Sequence, residues 1–368
     1  MLKEIENRAR RLLLRGLVRM FGRPAPPLPN WEDRPYKVVV IRDDGIGDFI
    51  VSIEVLRAIA ERAPGITMDL IASPQNAPLA RLLPFVRHVI VHKRGFLLKS
   101  RGVWRELRAN RYDVVVDARV AVRNVNMHTT CLILATGAPW RIGLAGRGND
   151  EVYNVRIPEP SSPHWTYQMV ALASPFGIGP DDRDWRPRIP MPDGVRAEAE
   201  AAWASIGSGR PRVLVNLSVG HPERWWPPER YKPVLARLRA ARPDATIMVV
   251  GMPSEMELAK DVAASAGGQA RLLTLHQVIA AVGTANLLIS PDTSVTHAAS
   301  AFETPTLTLQ RKDTGKWSPF RTPGRVAFSD DPKRIRDMPS ERVIAALDEL
   351  LEEMGREGRE KAGDERRV

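Results

Sequence analysis

Residues 286–309 read NLLISPDTSVTHAASAFETPTLTL, and this stretch decides the fold. The apolar run Leu287–Ile289 predicts a strand and Ser290-Pro291 a turn, with Asp292 or Thr293 as N-cap of a helix. Val295, Ala298, Ala299 and Phe302 recur on one face of that helix, and Pro305 opens a β-branched strand over Thr306–Leu309. Strand, turn, helix and strand in this order point the helix N-terminus at the mouth of a parallel sheet. Its N–H groups and positive dipole end suit an anionic ligand. A capped helix with nothing bound fits the same residues.

The same grammar extends upstream. Helices are expected at Ala197–Ile206, Pro228–Ala241, Ser254–Ala266 and Leu275–Val282, with strands at Val213–Asn216 and Thr246–Val250. A last amphipathic helix is expected at Pro339–Met354, followed by a solvated, disordered tail. Nearer the start, strands are predicted at Lys37–Ile41, Met68–Ala72, Val86–Val91 and Asp113–Asp117, with helices between them. Alternation of this kind marks a doubly wound parallel sheet. The chain of 368 residues is roughly twice the usual domain length. The expected division is residues 1–30 as a basic amphipathic helix and proline-rich linker, 31–185 as an N-terminal Rossmann-like domain, 186–335 as a C-terminal one, and 336–368 as helix and tail. The proline-spaced segment DDRDWRPRIPMPDG joins the two domains, whose carboxyl edges should face a central cleft.

Composition narrows the functional classes. One cysteine, Cys131, excludes a disulfide framework and a cysteine-based metal cluster. No apolar run is long enough to span a membrane, and Arg15 and Arg19 interrupt the only early apolar stretch, which argues against a signal peptide. The net charge of +11 points to anionic partners. Residues 1–24 hold seven basic and two acidic residues. Within them Leu2, Ile5, Ala9, Leu12, Leu13, Gly16 and Met20 share one helical face, and Arg8, Arg11, Arg15 and Arg19 line another. Such a helix either lies on an anionic membrane surface or packs on the protein's own body. No aromatic-basic interleaving or nucleic-acid motif accompanies the charge, so no nucleic-acid partner is expected.

Three loops carry candidate chemistry. In DDGIGD the spacing of Gly45 and Gly47 suggests a dinucleotide turn, but Ile50 replaces the third glycine and Asp48 would repel a pyrophosphate. Gly47 instead lets a substrate approach the backbone, and Asp48 is either a general base or an ordinary first-turn carboxylate. The loop SVGHPERWW offers Ser218, backbone N–H groups and Arg224 to a diphosphate, unless it is a surface loop anchored by Trp225 or Trp226 between the domains. Glu255 and Glu257, after Gly251, could accept from ribose hydroxyls. Lys93, Arg94, Lys99, Arg101, Arg119, Arg123 and Arg156 could form a basic surface for a carboxylate- or phosphate-bearing ligand, or be ordinary solvated charges. Asp182-Arg-Asp184 copies a metal-binding pattern but falls in the linker. His88, His92, His128, His164, His221 and His276 show no ligand spacing and read as ordinary surface or core residues.

In register, VVVIRDDGIGDFIVSIEVLRAI, DVVVDAR, NLSVGHPERWWPPERY and PDTSVTHAASAFETPTLTL resemble the bacterial heptosyltransferases, inverting glycosyltransferases of the GT-B architecture, over roughly residues 37–350. Beside an acceptor, Gly47 is expected from its close backbone approach, and Arg119, Arg123 and Arg156 from their charge. The resemblance implies an acceptor-binding N-terminal domain, a C-terminal domain that binds a nucleotide-sugar donor, and Asp48 as the base that deprotonates the acceptor. It implies Arg224, where lysine is usual, with Thr293 and Ser294 on the donor diphosphate, Asp292 on the transferred sugar, His297 one turn on, and Glu255 near the nucleoside. Ser218 belongs to the same donor set. No metal and no cofactor are expected, because Arg224 and the helix at Thr293 can stabilise the leaving diphosphate. The implied donor is ADP-heptose and the implied acceptor a lipid-linked saccharide such as lipopolysaccharide core. The implied place is the cytoplasmic side of the membrane, peripheral on its inner face. Serine at position 294, where the family often has glycine, and Gln310-Arg311-Lys312-Asp313-Thr314, where Gly-Pro-Thr is usual, are departures beside the donor. They leave open a non-catalytic nucleotide-sugar or glycan binder held at the membrane.

Overall fold

A computed structural model describes residues 2–93, 100–119, 126–146, 150–162 and 164–364. The chain forms two compact units, Met1–Pro190 and Met191–Val368. Each is an α/β domain around a parallel six-stranded sheet.

The first unit runs α1 (Leu2–Phe21), β1 (Tyr36–Arg42), α2 (Ile46–Ala60), β2 (Ile66–Ala72), α3 (Ala77–Ala80), β3 (Val86–Val91), α4 (Arg101–Asn110), β4 (Val114–Asp117), α5 (Met127–Thr136), β5 (Trp140–Leu144), β6 (Val155–Ile157) and α6 (Trp165–Val170). Strand order is β3-β2-β1-β4-β5-β6. Val38–Ile41 are fully buried, as a central strand covered on both faces requires. The chain steps outward from β1 to β3, then returns to lay β4 on the other side of β1, with Val38 opposite Val114. This reversal leaves a crevice at the carboxyl ends of β1 and β4.

Two segments read as linkers are packed. Carbonyls of the Pro24–Pro29 region and its neighbour accept hydrogen bonds: Pro26 from Trp140 Nε1 at 3.1 Å, and Arg23 from Arg141 Nη2 at 2.9 Å. Trp31 stacks on Phe176 with ring centroids 4.5 Å apart. In the second segment Trp185 is fully buried, and Arg183 and Arg188 reach Glu54, a carboxylate on α2 with no exposed surface. Three guanidinium groups, counting Arg57, offset the cost of burying that charge.

The α1 helix settles on the body by a face other than the predicted apolar one. Leu14 is fully buried against the core and Val18 packs beside it, while Arg15 pairs with Glu151 at 2.9 Å. Leu12, Leu13 and Met20 remain exposed.

The second unit runs α7 (Asp193–Ala204), β7 (Arg212–Asn216), α8 (Pro228–Ala241), β8 (Thr246–Val250), α9 (Met256–Ala264), β9 (Gln269–Arg271), α10 (Leu275–Gly283), β10 (Leu287–Pro291), α11 (Ser294–Phe302), β11 (Thr306–Arg311), β12 (Gly324–Ser329) and α12 (Ser340–Asp364). Its order, β12-β11-β10-β7-β8-β9, places the reversal between β10 and β7. The edge strands β9 and β12 escaped the sequence reading, because one is three residues long and neither is an apolar run. Trp226 lies in this unit's own core, edge-on to Tyr231. The last helix continues past Met354 to Asp364, where a disordered tail was expected.

Candidate functional site

In the first unit the crevice is organised by Arg42, which is fully buried. Its Nη1 donates to the carbonyl of Ala118 just beyond β4 at 2.6 Å and to Asp44 Oδ2 at 2.9 Å. Its Nε donates to the carbonyl of Asp48 at 3.0 Å, and Nη2 donates to that same oxygen. Ser73 Oγ and Asn76 Nδ2 hold the carbonyl of Asp44 from the other side. The turn 43–48 is therefore fixed by buried donors, and Asp48 projects from the first turn of α2, half-buried. Gly47 is half-buried beside it. Gly45 leaves room for the carboxylate: a Cβ there would stand 2.9 Å from Asp48 Oδ2. Burial pushes the carboxyl of Asp44 up to about 7, with Arg42 opposing and the charge of Asp48 reinforcing the shift.

A second network fills the floor. His92, which follows β3, bonds Asp43 through Nδ1 at 3.0 Å and Ser100 through Nε2 at 3.3 Å. Asp117 takes a two-point contact from Arg119 at 3.0 and 2.9 Å and the hydroxyl of Tyr153 at 2.6 Å. Arg119 also stands 3.9 Å from Asp43. Burial pulls its pKa down, but Asp117 and Asp43 outweigh that and hold it above the usual value. Arg119 was expected on a basic acceptor surface. It is instead buried, because two desolvated carboxylates need its charge.

Among the described residues, the other expected acceptor cations do not join it. Arg156 is exposed on β6, two strands beyond β4, where its Nε donates to the carbonyl of Tyr153. Lys93 and Arg101 are exposed, and Arg94, Lys99 and Arg123 lie outside the described residues. His92, expected to be an ordinary surface or core histidine, is part of this floor, and Asp43 and Tyr153 join it without having been singled out in the sequence. A usable signal existed: Asp43, His92 and Asp117 stand at the carboxyl ends of β1, β3 and β4.

In the second unit Asn216, the last residue of β7, bridges the reversal. Its Nδ2 donates to Ser290 Oγ at 3.0 Å, Thr293 Oγ1 at 3.2 Å and the carbonyl of Ser218 at 3.2 Å. Ser218 returns its hydroxyl to Asn216 Oδ1 at 2.7 Å. Thr293 is the N-cap of α11 but makes no side-chain cap, so its hydroxyl serves Asn216 and leaves the first turn of the helix uncapped. Arg224 donates from Nη1 to the carbonyl of Asp292 at 2.7 Å, and its Nη2 lies 3.9 Å from Asp292 Oδ2. Its buried Nε has no hydrogen-bond partner among the described residues. Ser294 is half-buried in the first turn, and the ring of buried His297 lies 6.2 Å from that of Trp317.

Ser218, Arg224, Asp292, Thr293 and Ser294 thus meet at one sheet reversal. Glu255 stands one strand away, after β8, and its Oε2 accepts from its own Met252 N–H at 2.7 Å. Asp182 and Asp184 each cap their own turns, accepting from Gly179 and Arg186. Among the described residues no cluster of three or more histidine, cysteine or acidic side chains is arranged to hold a metal ion.

Two Rossmann-like α/β units in one chain are the components of the GT-B architecture. The family profile of glycosyltransferase family 9 (heptosyltransferase) matches residues 100–333. The chain belongs to that family and is a glycosyltransferase. It is similar to the lipopolysaccharide core heptosyltransferase OpsX of Haemophilus influenzae, 23% identical over 292 residues that cover 77% of this chain and 81% of that protein. The fold matches the glycosyl transferase family 9 structure from Veillonella parvula with a TM-score of 0.73 at 20% identity, covering 89% of this chain and 99% of that one. It also matches the Escherichia coli ADP-heptose lipopolysaccharide heptosyltransferase II, with a TM-score of 0.68 at 20% identity over 87% and 99% of the two chains.

Proposed function

We propose that this enzyme transfers a heptose from ADP-heptose, with inversion, to a hydroxyl of a lipid-linked saccharide such as lipopolysaccharide core. The observation that carries the reading is the placement of Asp48 and of the Arg224–Asp292–Thr293 set at the reversal points of their respective sheets, where α/β folds bind ligands. The names of its relatives supply the sugar and the acceptor class.

The carboxylate of Asp48 takes the proton of the acceptor hydroxyl. The acceptor oxygen forms its bond to the anomeric carbon as the bond from that carbon to the diphosphate oxygen breaks. ADP leaves with the electron pair. Arg224 and the first-turn N–H groups of α11 stabilise the charge growing on the diphosphate. Asp292 holds the transferred sugar, Ser294 and His297 complete the donor set, and Glu255 lies toward the nucleoside. Gly47 lets the acceptor approach the backbone. Arg119 acts by bracing the floor. Arg123 is kept as a candidate acceptor cation, whereas Arg156, two strands beyond β4, is not assigned to the acceptor. The acceptor's lipid places the reaction at the inner face of the cytoplasmic membrane.

The test is ADP release from ADP-heptose in the presence of acceptor, with and without added divalent metal. Asp48→Asn should cut turnover by about 10²- to 10⁴-fold while leaving ADP binding intact. Full turnover in that variant removes Asp48 from the role of base. Donor binding with no turnover in the wild type, across acceptors, would favour a non-catalytic binder.

A further inference from the structure

We propose that α1 and the pocket at its carboxyl end form a docking surface for anionic phospholipid. This deepens the membrane-surface reading above and rests on it only for the side of the membrane involved. Helix α1 has three faces. Leu14 and Val18 pack on the body. Leu12, Leu13 and Met20 lie on a different side and are 68%, 61% and 73% exposed. Arg11, Arg15 and Arg19, four residues apart, line the helix between them. Of the ten large apolar side chains most exposed among the described residues, five lie between Leu12 and Leu28. An apolar ridge so concentrated calls for a partner.

Where α1 ends, Met20, Phe21 and Leu134 line a pocket of about 540 Å³ together with Arg23, Arg108, Arg111 and Arg141. None of these four arginines has a carboxylate within ion-pair distance among the described residues. Arg141 is buried and spends its donors on the carbonyls of Val152 and Arg23. Burial lowers its pKa, with no carboxylate to oppose the shift. The pocket therefore offers apolar side chains for an acyl chain and the exposed guanidinium groups of Arg23, Arg108 and Arg111 for a phosphate, with Arg141 fixing its floor.

Charge decides between a bilayer and a protein partner. Arginine also occurs in protein interfaces. Along α1, however, exposed apolar side chains stand beside a row of arginines, and acidic residues occur only near its start. That is the composition of a helix lying in an anionic lipid interface. Arginine stems can lie along the acyl boundary while their heads reach lipid phosphates. No helix among the described residues is long and apolar enough to cross a membrane, so α1 would lie in the interface plane.

The experiment is co-sedimentation of the full-length protein with glycolipid-free vesicles, either phosphatidylglycerol with phosphatidylethanolamine or phosphatidylcholine alone. The protein should pellet with the anionic vesicles only, and about 0.5 M salt should release most of it. Leu12→Ser/Leu13→Ser should bind at least tenfold more weakly. Arg108→Ser/Arg111→Ser should do the same, at about fivefold for each arginine near an anionic surface. Both variants should keep the wild-type melting temperature and the wild-type rate of ADP release with a delipidated, soluble acceptor. Wild-type protein left in the supernatant, equal binding to both vesicle types, or variants that bind like wild type would each overturn the proposal. Vesicle binding without ADP release would count against the transferase reading alone.

Discussion

Replacing Gly45 by alanine asks whether the carboxylate of Asp48 must stand where it does. The backbone at Gly45, with φ −73° and ψ 161°, suits any residue, so alanine introduces no torsional strain. The new Cβ would meet Asp48 Oδ2 at 2.9 Å, and ordinary contact requires the carboxylate to retreat by about half an ångström. The backbone of Asp48 cannot follow, because Arg42 holds its carbonyl and is itself fixed to Asp44 and Ala118. The side chain must therefore rotate away. A misplacement of about 1 Å costs about 10²-fold in rate, so half that distance predicts a fall in kcat of roughly tenfold.

Stability should barely move. Losing glycine at an N-cap costs up to about 1 kcal/mol, while restricting the unfolded chain returns about 0.4–1 kcal/mol. The assay is kcat for ADP release alongside the thermal midpoint, repeated in an Asp48→Ala background. Gly45→Ala should slow the wild type and add nothing once the carboxylate is gone. An unchanged kcat, or a tenfold loss that persists without the Asp48 side chain, would refute the reasoning.

Three further perturbations probe the rest of the site. Arg224→Met should lower kcat/KM for the donor by about 10- to 150-fold through loss of charged hydrogen bonds, and steady-state kinetics with an unchanged value would remove Arg224 from the donor site. Arg119→Met leaves Asp117 and Asp43 buried without their cation, at a cost of about 3–5 kcal/mol, so the melting temperature should drop by roughly 10 °C; an intact midpoint with an altered acceptor KM would instead make Arg119 a binding residue. Asp44 keeps its proton in the folded chain up to about pH 7, against 3.8 ordinarily. Its contribution is complete below the ordinary value and fades as pH rises toward 7, so the wild type should lose stability relative to Asp44→Asn over that window, and parallel denaturation curves would exclude the shift.

The second-unit site was legible because its residues crowd into two short segments of one αβ grammar. Asp292, Thr293 and Ser294 follow one another at a strand end, and only Arg224 and Ser218 come from elsewhere. The first-unit floor was not legible in the same way. Asp43, His92, the Asp117–Arg119 segment and Tyr153 come from four places in the chain, and only the strand order β3-β2-β1-β4-β5-β6 brings them together. An arginine such as Arg119 carries no local mark that two carboxylates will draw it inside. For α1 the periodicity gave the helix and both of its exposed faces, but Leu14 packs inward because α5 and the turn around Val152 stand beside it. The packed linkers escaped for a related reason: proline spacing reports backbone conformation, whereas the burial of Trp185 depends on Pro180 and its surroundings.

The two reversal points use one device to opposite ends. In each, an arginine donates to the carbonyl of the aspartate beside a helix start: Arg42 to Asp48, and Arg224 to Asp292. A guanidinium has five N–H donors in a rigid fork. Arg42 engages Nε, Nη1 and Nη2 with protein acceptors and has no exposed surface, so it can only position the turn that carries Asp48. Arg224 is anchored by one short bond, its Nη2 stands 3.9 Å from the Asp292 carboxylate, and its side chain is 27% exposed. It keeps donors for a ligand while its place is fixed by the backbone of Asp292. A lysine there would carry the same charge as a point, without the second hand that holds the loop. The arginine thus ties the loop after β7 to the start of α11, so that the cation and the helix N-terminus form one preorganised surface for the diphosphate proposed above.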